Sequence, residues 1–472
     1  MFLACIILFL SFDSIAQNPK DLSGIWVGTM EINENVQMTV GFEFTNSIET
    51  RLEGMLHSID QGSYDMPITN ITVEGDLVIL KVNAINFTYE GIFTDTETLH
   101  GTATQGNNSP WKLNMQKVDA LPKAKPKRPQ EPVKPYPYFV EEVSFENKAE
   151  GITLAGTLTK PKNGNIFPAV VLLSGSGPTD RDATIFGHKF FLVLADQLTR
   201  AGYAVLRTDD RGVGESTGNF QIATVEDLAG DAMAAVGYLK TRKDIDKNHI
   251  GLLGHSLGAE KASIAASLND DIKFLVLMAG GAIPLYQGIY EQTKAYYSTQ
   301  VSDEAVALNT RVLQSVFETI KDEPNNEKAK QLISEKLKLL DDEVLKLTME
   351  EQKFLNLTTP LSVEKFNFFM SPAMRFDLFF DPLVALEKVK APVLAINGAL
   401  DLQVLPHNLE GIEKALIRGG NSNYKIHLFE NKNHMFQDAI TGTPEEYTEI
   451  ETTIARDVLE CVIAWIEDKT KS

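Results

Sequence analysis

Three residues far apart in the chain, Ser256, Asp401 and His434, are of the types needed to open an acyl bond. A serine hydroxyl is a weak nucleophile at neutral pH. It attacks a carbonyl carbon only when a base takes its proton and a third group holds that base in place. The serine comes first, the acid next and the histidine last, one of the orders in which such triads recur.

Each residue stands where a strand ends. Ile250 to Leu253 is a short apolar run that meets Gly254-His255-Ser256-Leu257-Gly258, and an Ala-rich helical pattern follows at once. A serine at such a strand–turn–helix corner is forced into strained backbone geometry, and glycines two residues either side avoid a collision with the neighbouring strand and helix. The N–H of Leu257 then points from the helix start toward a developing oxyanion. Gly214-Glu215-Ser216-Thr217-Gly218 has the same spacing, but it follows the polar turn Thr208-Asp209-Asp210-Arg211-Gly212 with neither strand nor helix beside it, so Ser216 reads as a loop serine.

Residues 392–397 read as a buried strand, and Gly398-Ala399-Leu400-Asp401 puts a carboxylate in the turn beyond it. Asp381, before Pro382, is the alternative acid but lies at the end of a helical stretch. Among the histidines after Ser256, His427 falls inside the strand 424–429 and His407 a few residues past Asp401. His434 sits in Asn431-Lys432-Asn433-His434-Met435, directly after the last strand. A second oxyanion donor is expected from the loop after the strand 169–173, Ser174-Gly175-Ser176-Gly177-Pro178-Thr179-Asp180-Arg181-Asp182, with Ser176 supplying its N–H. No Gly-Lys-Ser/Thr follows, so this loop is not a phosphate cradle.

The elements that must hold these residues alternate. An opening hairpin (140–146 and 152–159), strands at 169–173, 203–208 and 274–278, and helices at 188–201 and 225–240 describe a mostly parallel sheet covered on both faces. From about 285 to 388 only helical patterns occur, an insertion that reads as a cap over the strands' carboxyl edge, where open α/β sheets bind ligands. Its aromatic end, Phe366, Phe368, Phe369, Met370, Met374, Phe376, Phe379 and Phe380, fits either a substrate pocket or the cap's own core. The strand 424–429 and a helix over 449–469 close the chain.

Before this domain, residues 18–119 alternate at period two with recurring turns, as in a small all-β domain, a barrel or a sandwich. Leu22-Ser23-Gly24-Ile25-Trp26 resembles the opening of lipocalin-like barrels, and Leu52-Glu53-Gly54, Tyr89-Glu90-Gly91 and Leu99-His100-Gly101 echo it as expected strand starts. Such a domain either holds an apolar ligand or has a filled interior. Residues 120–138, with Pro122, Pro126, Pro129, Pro132, Pro135 and Pro137 among lysines, favour polyproline II and form the linker to the domain at 139–472. Residues 1–17 carry an apolar run, Phe2 to Leu10, and small residues at Ser14 and Ala16 before Gln17. This reads as a secretory signal peptide leading to a periplasmic or extracellular location, with an uncleaved anchor as the competing reading.

The chain has 472 residues and a net charge of −20. That field repels nucleic acid and anionic lipid and argues against polyanionic substrates. Removal of a signal peptide would leave Cys461 alone, so no disulfide framework and no Cys/His zinc spacing is expected.

With these residues in view, the region from about 139 onward resembles the α/β-hydrolase superfamily, and within it the bacterial EstD-like carboxylesterases near the dienelactone-hydrolase and prolyl-oligopeptidase-like branch. The resemblance rests on the loop 174–182, on Asp210-Arg211-Gly212-Val213-Gly214-Glu215-Ser216, on the Ser256 corner, on Gly398-Ala399-Leu400-Asp401-Leu402-Gln403-Val404 and on Asn433-His434-Met435-Phe436. One departure is Ser174, where many relatives carry histidine. The resemblance implies attack by Ser256 on a small-molecule acyl ester, proton transfer through His434, support from Asp401 and no metal or organic cofactor. A serine peptidase or acyl-aminoacid hydrolase, an acyltransferase, or a ligand-binding protein with an inert hydrolase domain are the alternatives.

Overall fold

Alternating apolar and polar residues place one face of each early segment inward, and the result is nine antiparallel strands. They are β1 Gly24–Asn33, β2 Val36–Asn46, β3 Leu52–Ser58, β4 Ser63–Pro67, β5 Asn70–Glu74, β6 Leu77–Val82, β7 Phe87–Phe93, β8 Thr98–Gln105 and β9 Trp111–Val118. The computed structural model describes residues 21–33, 36–46, 52–61, 63–106, 110–123 and 126–471; the expected signal peptide and Cys5 lie outside them. The strands form one sheet in the order β4-β3-β2-β1-β9-β8-β7-β6-β5. The sheet curls until strands far apart in that order touch: the rings of Phe42 on β2 and Tyr89 on β7 lie 5.9 Å apart. Trp26 is fully buried and donates its indole N–H to the Leu22 carbonyl at 2.8 Å. A cavity of about 440 Å³ lies within the curl, lined by Met30, Met38, Met66, Phe87 and Trp111.

Leu52-Glu53-Gly54 opens β3 and Leu99-His100-Gly101 begins one residue into β8, as expected, whereas Tyr89-Glu90-Gly91 lies in the middle of β7. Gly91 and Gly101 face each other across β7 and β8, and a Cβ on either would stand within 2.7 Å of the Tyr89 hydroxyl. Their role is to leave room for that ring.

The chain divides into two units at Pro126/Lys127. In the second, eight strands form one sheet in the order β10-β11-β15-β12-β16-β17-β18-β19. These are β10 Phe139–Asn147, β11 Ile152–Lys160, β12 Phe167–Leu173, β15 Ala204–Thr208, β16 Ile245–His255, β17 Phe274–Met278, β18 Val393–Gly398 and β19 Tyr424–Phe429. A two-stranded hairpin, β13 Thr184–Ile185 and β14 His188–Lys189, lies outside it. Pairing is antiparallel from β10 to β15 and parallel thereafter. Successive residues of β12 feed opposite cores: Ala169, Val171 and Leu173 pack on one face, Val170 and Leu172 on the other. Burying each such valine or leucine contributes about 1.5–3 kcal/mol, which is why these strands are continuous apolar runs. Helices α1 Phe190–Arg200 and α13 Arg456–Thr470 cover the second face. Helices α2 Val225–Thr241, α3 Leu257–Leu268 and α11 Asn408–Arg418 cover the first. This is the α/β-hydrolase fold expected from the sequence, preceded by an all-β unit.

Between β17 and β18 the cap contains α4 Leu285–Tyr297, α5 Asp303–Asp322, α6 Asn326–Lys338, α7 Asp341–Val344, α8 Met349–Phe354, α9 Pro372–Phe379 and α10 Leu383–Leu386, with a 3-10 turn at Val363–Met370. Val312, Val316, Phe317, Ile333 and Leu337 give it a core of its own, on which Phe366, Phe369 and Phe379 pack. Phe368 and Met374 turn instead to a cavity, so the aromatic stretch supplies both cap core and cavity wall.

The closing helix departs from its expected span. A short helix, α12 Pro444–Glu449, ends before α13 begins at Arg456. At the end of α12 and between the two helices the backbone carbonyls bond outside the segment: Arg128 donates to Thr448 and Ile450, Gln130 to Ile454, and Gln437 to Thr452. Tertiary hydrogen bonds from the start of this unit override local helix propensity. Cys461 is half-buried on α13, and among the described residues no helix is long and apolar enough to cross a membrane.

Candidate active site

Because β12, β16, β18 and β19 run parallel, their carboxyl ends share one edge, and Ser256, Asp401, His434 and the loop at 174–182 lie there. Ser256 closes β16 and begins α3 with φ 58° and ψ −125°. This conformation costs a non-glycine residue about 1–3 kcal/mol and persists only where the surroundings impose it. Here the Ser256 N–H donates to Met278 O at 2.8 Å. A Cβ on Gly254 would stand 2.0 Å from Gly258 O, and one on Gly258 2.0 Å from Leu173 O. The Ser256 hydroxyl makes no capping bond to its helix. Leu257 is the first residue of α3, where backbone N–H groups have no intrahelical acceptor.

Asp401 and His434 are brought together: His434 Nδ1 lies 2.8 Å from Asp401 Oδ2. The other oxygen, Oδ1, accepts the N–H groups of Gln403 and Val404 at 2.8 and 2.9 Å, so the carboxylate is fixed in rotation. Both residues are buried. The histidine loop is equally constrained. Asn433 Oδ1 accepts the N–H groups of Met435 and Gln437, and His255 Nε2 donates to His434 O at 2.9 Å. The His255 ring lies 4.8 Å from that of His434. Burial, with the neighbouring His434 second, pushes its pKa down to about 3, so it is a neutral donor at pH 7.

The loop after β12 passes beside the nucleophile, for a Cβ on Gly175 would stand 3.7 Å from Ser256 Oγ. Ser174 does not leave a gap where a histidine is common. Its hydroxyl donates to the Asp210 carboxylate at 2.8 Å and accepts from Lys261 Nζ at 3.3 Å. Lys261 reaches Gly175 O at 3.4 Å, and Asp210 accepts the Thr179 N–H at 3.0 Å. Arg181 pairs with Asp209 through both oxygens, Nε reaching Oδ1 at 3.2 Å and a terminal nitrogen Oδ2 at 2.6 Å. The two motifs thus meet as one scaffold under the loop. Ser216 belongs to it: its hydroxyl donates to Asp209 O at 2.8 Å and accepts the Ala155 N–H at 2.9 Å.

Two cavities of about 200 Å³ each adjoin here, sharing Ser176, Leu257, Glu260 and Leu285. The one containing Ser256 is closed by α4 of the cap and by Gln403, Val404 and Leu405. The other is walled by Phe220, Leu228, Phe368 and Met374 and carries Asp377. The remaining candidates lie apart from this arrangement. Asp381 accepts the Leu383 N–H at the start of α10, His407 lies 3.2 Å from Glu291, and His427 is exposed on the edge strand β19. Sequence reasoning missed Glu260 and Asp377. Glu260 had a signal, standing one helical turn after Ser256; Asp377 reaches the site from the cap and had none.

An immobilised imidazole and a serine of strained backbone at one sheet edge, with two loop backbones and an apolar cavity, can carry acyl transfer. Residues 127–428 match the family described as X-Pro dipeptidyl-peptidase (S15 family). The chain is 30% identical to Esterase EstD of Thermotoga maritima over 313 residues, 66% of this chain and 65% of EstD. It is 32% identical to the putative hydrolase YtaP of Bacillus subtilis over 93 residues, 17% of this chain and 31% of YtaP. It therefore spans less than two thirds of either relative. The Pyrococcus furiosus esterase PF2001 is 17% identical, covering 70% of this chain and 91% of that one at a TM-score of 0.42. The chain thus belongs to the X-Pro dipeptidyl-peptidase (S15) family and is an EstD-like α/β hydrolase.

Proposed function

We propose that the chain is an exported serine carboxylesterase that cleaves small carboxylic esters through an acyl-enzyme. The observation that carries this reading is the Asp401–His434 hydrogen bond at the sheet edge where Ser256 keeps its hydroxyl free of helix capping. Asp401 holds the proton on Nδ1, so Nε2 is the nitrogen left to take a proton from Ser256 Oγ. Oγ attacks the acyl carbon, and the oxyanion forms against the N–H groups of Ser176 and Leu257. Losing one such donor typically costs about 3 kcal/mol of transition-state stabilisation. His434 then protonates the leaving alcohol, and the same base activates the water that releases the acid. In this reading no metal or organic cofactor takes part.

The name of the Thermotoga relative, an esterase, supports ester over amide. Hydrolysis of p-nitrophenyl esters from acetate to palmitate by the wild type and by Ser256→Ala tests it. The reading expects turnover of the short esters and a loss of about three orders of magnitude or more in the variant. Cleavage of aminoacyl amides with no ester turnover would overturn it in favour of a peptidase. Export is tested separately by sequencing the N-terminus of the secreted chain, expected at Gln17 or Asn18.

A further inference from the structure

We propose that Glu260, with Asp377 in the same cavity, selects esters whose buried arm ends in a protonated amine. The inference deepens the esterase reading and rests on it. Glu260 lies four residues after Ser256 on α3, just over one helical turn or about 6 Å along the axis, and lines both cavities at their junction. Among the described residues its carboxyl has neither a hydrogen bond nor an ion pair. One cavity is walled mainly by apolar residues, Phe220, Leu228, Phe368 and Met374, while the one containing Ser256 also carries Glu291, Gln292 and Gln403.

A carboxyl in such surroundings is costly when ionised and unpaired. Burial, reinforced by the charge of Asp377 and opposed by Lys261, raises the pKa of Glu260 to about 8. Lys261 offers little relief because its ammonium is turned toward Ser174 and Gly175 O. Asp377, reaching in from α9, accepts the Val225 N–H at 2.9 Å. Burial, with Asp227 and Glu226 adding to it, raises its pKa to about 6. A wholly apolar arm leaves Glu260 without a partner and Asp377 with the Val225 N–H alone. An ammonium at the end of a short methylene chain, by contrast, supplies up to three donors and the missing positive charge. Asp377 has a second task in fixing the start of α2; Glu260 has no other partner and is the residue on which the selectivity depends.

The test compares isosteric pairs in both arms of the ester, followed by titration of released acid. For the acyl arm these are ethyl 3-aminopropanoate against ethyl butanoate and ethyl 6-aminohexanoate against ethyl heptanoate; for the alcohol arm, 6-aminohexyl acetate against heptyl acetate. The expected result is a kcat/KM preference for the amine in at least one arm of about ten- to a hundredfold, the range of a charge-assisted hydrogen bond. Glu260→Gln should abolish that preference, read as the ratio of kcat/KM for the two members of each pair in the variant against the same ratio in the wild type. A wild type that prefers the neutral member of every pair, or a preference unchanged in Glu260→Gln, would overturn the inference and leave the esterase reading standing. Failure to hydrolyse either member of any pair would remove both.

Discussion

Replacing Asp401 by asparagine exchanges one carboxylate oxygen for an NH2 group, and the surrounding hydrogen bonds decide which. Oδ1 accepts the N–H groups of Gln403 and Val404, while Oδ2 faces His434 Nδ1. If the amide oxygen faced the histidine, two buried N–H groups would meet an NH2 donor, at a cost of about 1–3 kcal/mol each. The amide therefore presents its NH2 to Nδ1. That stabilises the tautomer with Nδ1 bare and the proton on Nε2, which cannot accept a proton from Ser256. Loss of the correct tautomer lowers kcat by about 10⁴ in a well-studied serine protease. A fall of 10³ to 10⁴ in kcat for p-nitrophenyl acetate is expected here, with KM and the thermal midpoint little changed. Measuring kcat, KM and the midpoint on one preparation separates this from unfolding. A loss of less than tenfold in a folded variant would refute the assignment of Asp401.

Ser256→Gly should raise stability by about 1 kcal/mol over Ser256→Ala, because glycine adopts φ 58° without strain; denaturant midpoints check this. A raised folded-state pKa for Glu260 means that ionisation opposes folding. The cost is absent below the unfolded value near 4.5, grows by at most about 1.4 kcal/mol per pH unit, and is complete above about 8. Glu260→Gln should therefore match the wild type in stability near pH 4.5 and exceed it at pH 9. Arg128→Ala removes donors to Gly187, Thr448 and Ile450 and should cost about 1–3 kcal/mol in the denaturant midpoint. Lys134→Ala, at an exposed position of the same segment, should cost nothing measurable.

The parts of the site that obey local rules were legible in the sequence. The Ser256 corner declares itself because an apolar strand, a glycine-flanked turn and a small-residue helix must follow in that order for the backbone to close. The turn aspartate after β18 and the loop histidine after β19 follow from the same parallel geometry. Other features depended on contacts the sequence does not display. The reason for glycine at 91 and 101 was not legible, because the ring of Tyr89, which needs their space, lies across two strands. The break between α12 and α13 has no proline or glycine to announce it and arises from side chains at 128, 130 and 437. One partner of Ser174 is a lysine on α3, 87 positions away in the chain. Asp377 enters the site only because the cap folds over the sheet edge.

The central claim is that Ser256 becomes acylated. Rapid-quench mixing of the full chain with p-nitrophenyl acetate, with proteolysis and mass spectrometry of the quenched protein, observes this directly. The account predicts a burst of about one p-nitrophenolate per chain where deacylation is the slower step, and an acetyl group on the peptide containing Ser256 that is absent from Ser256→Ala. Acetyl carried on another residue, with full turnover retained in Ser256→Ala, would contradict it.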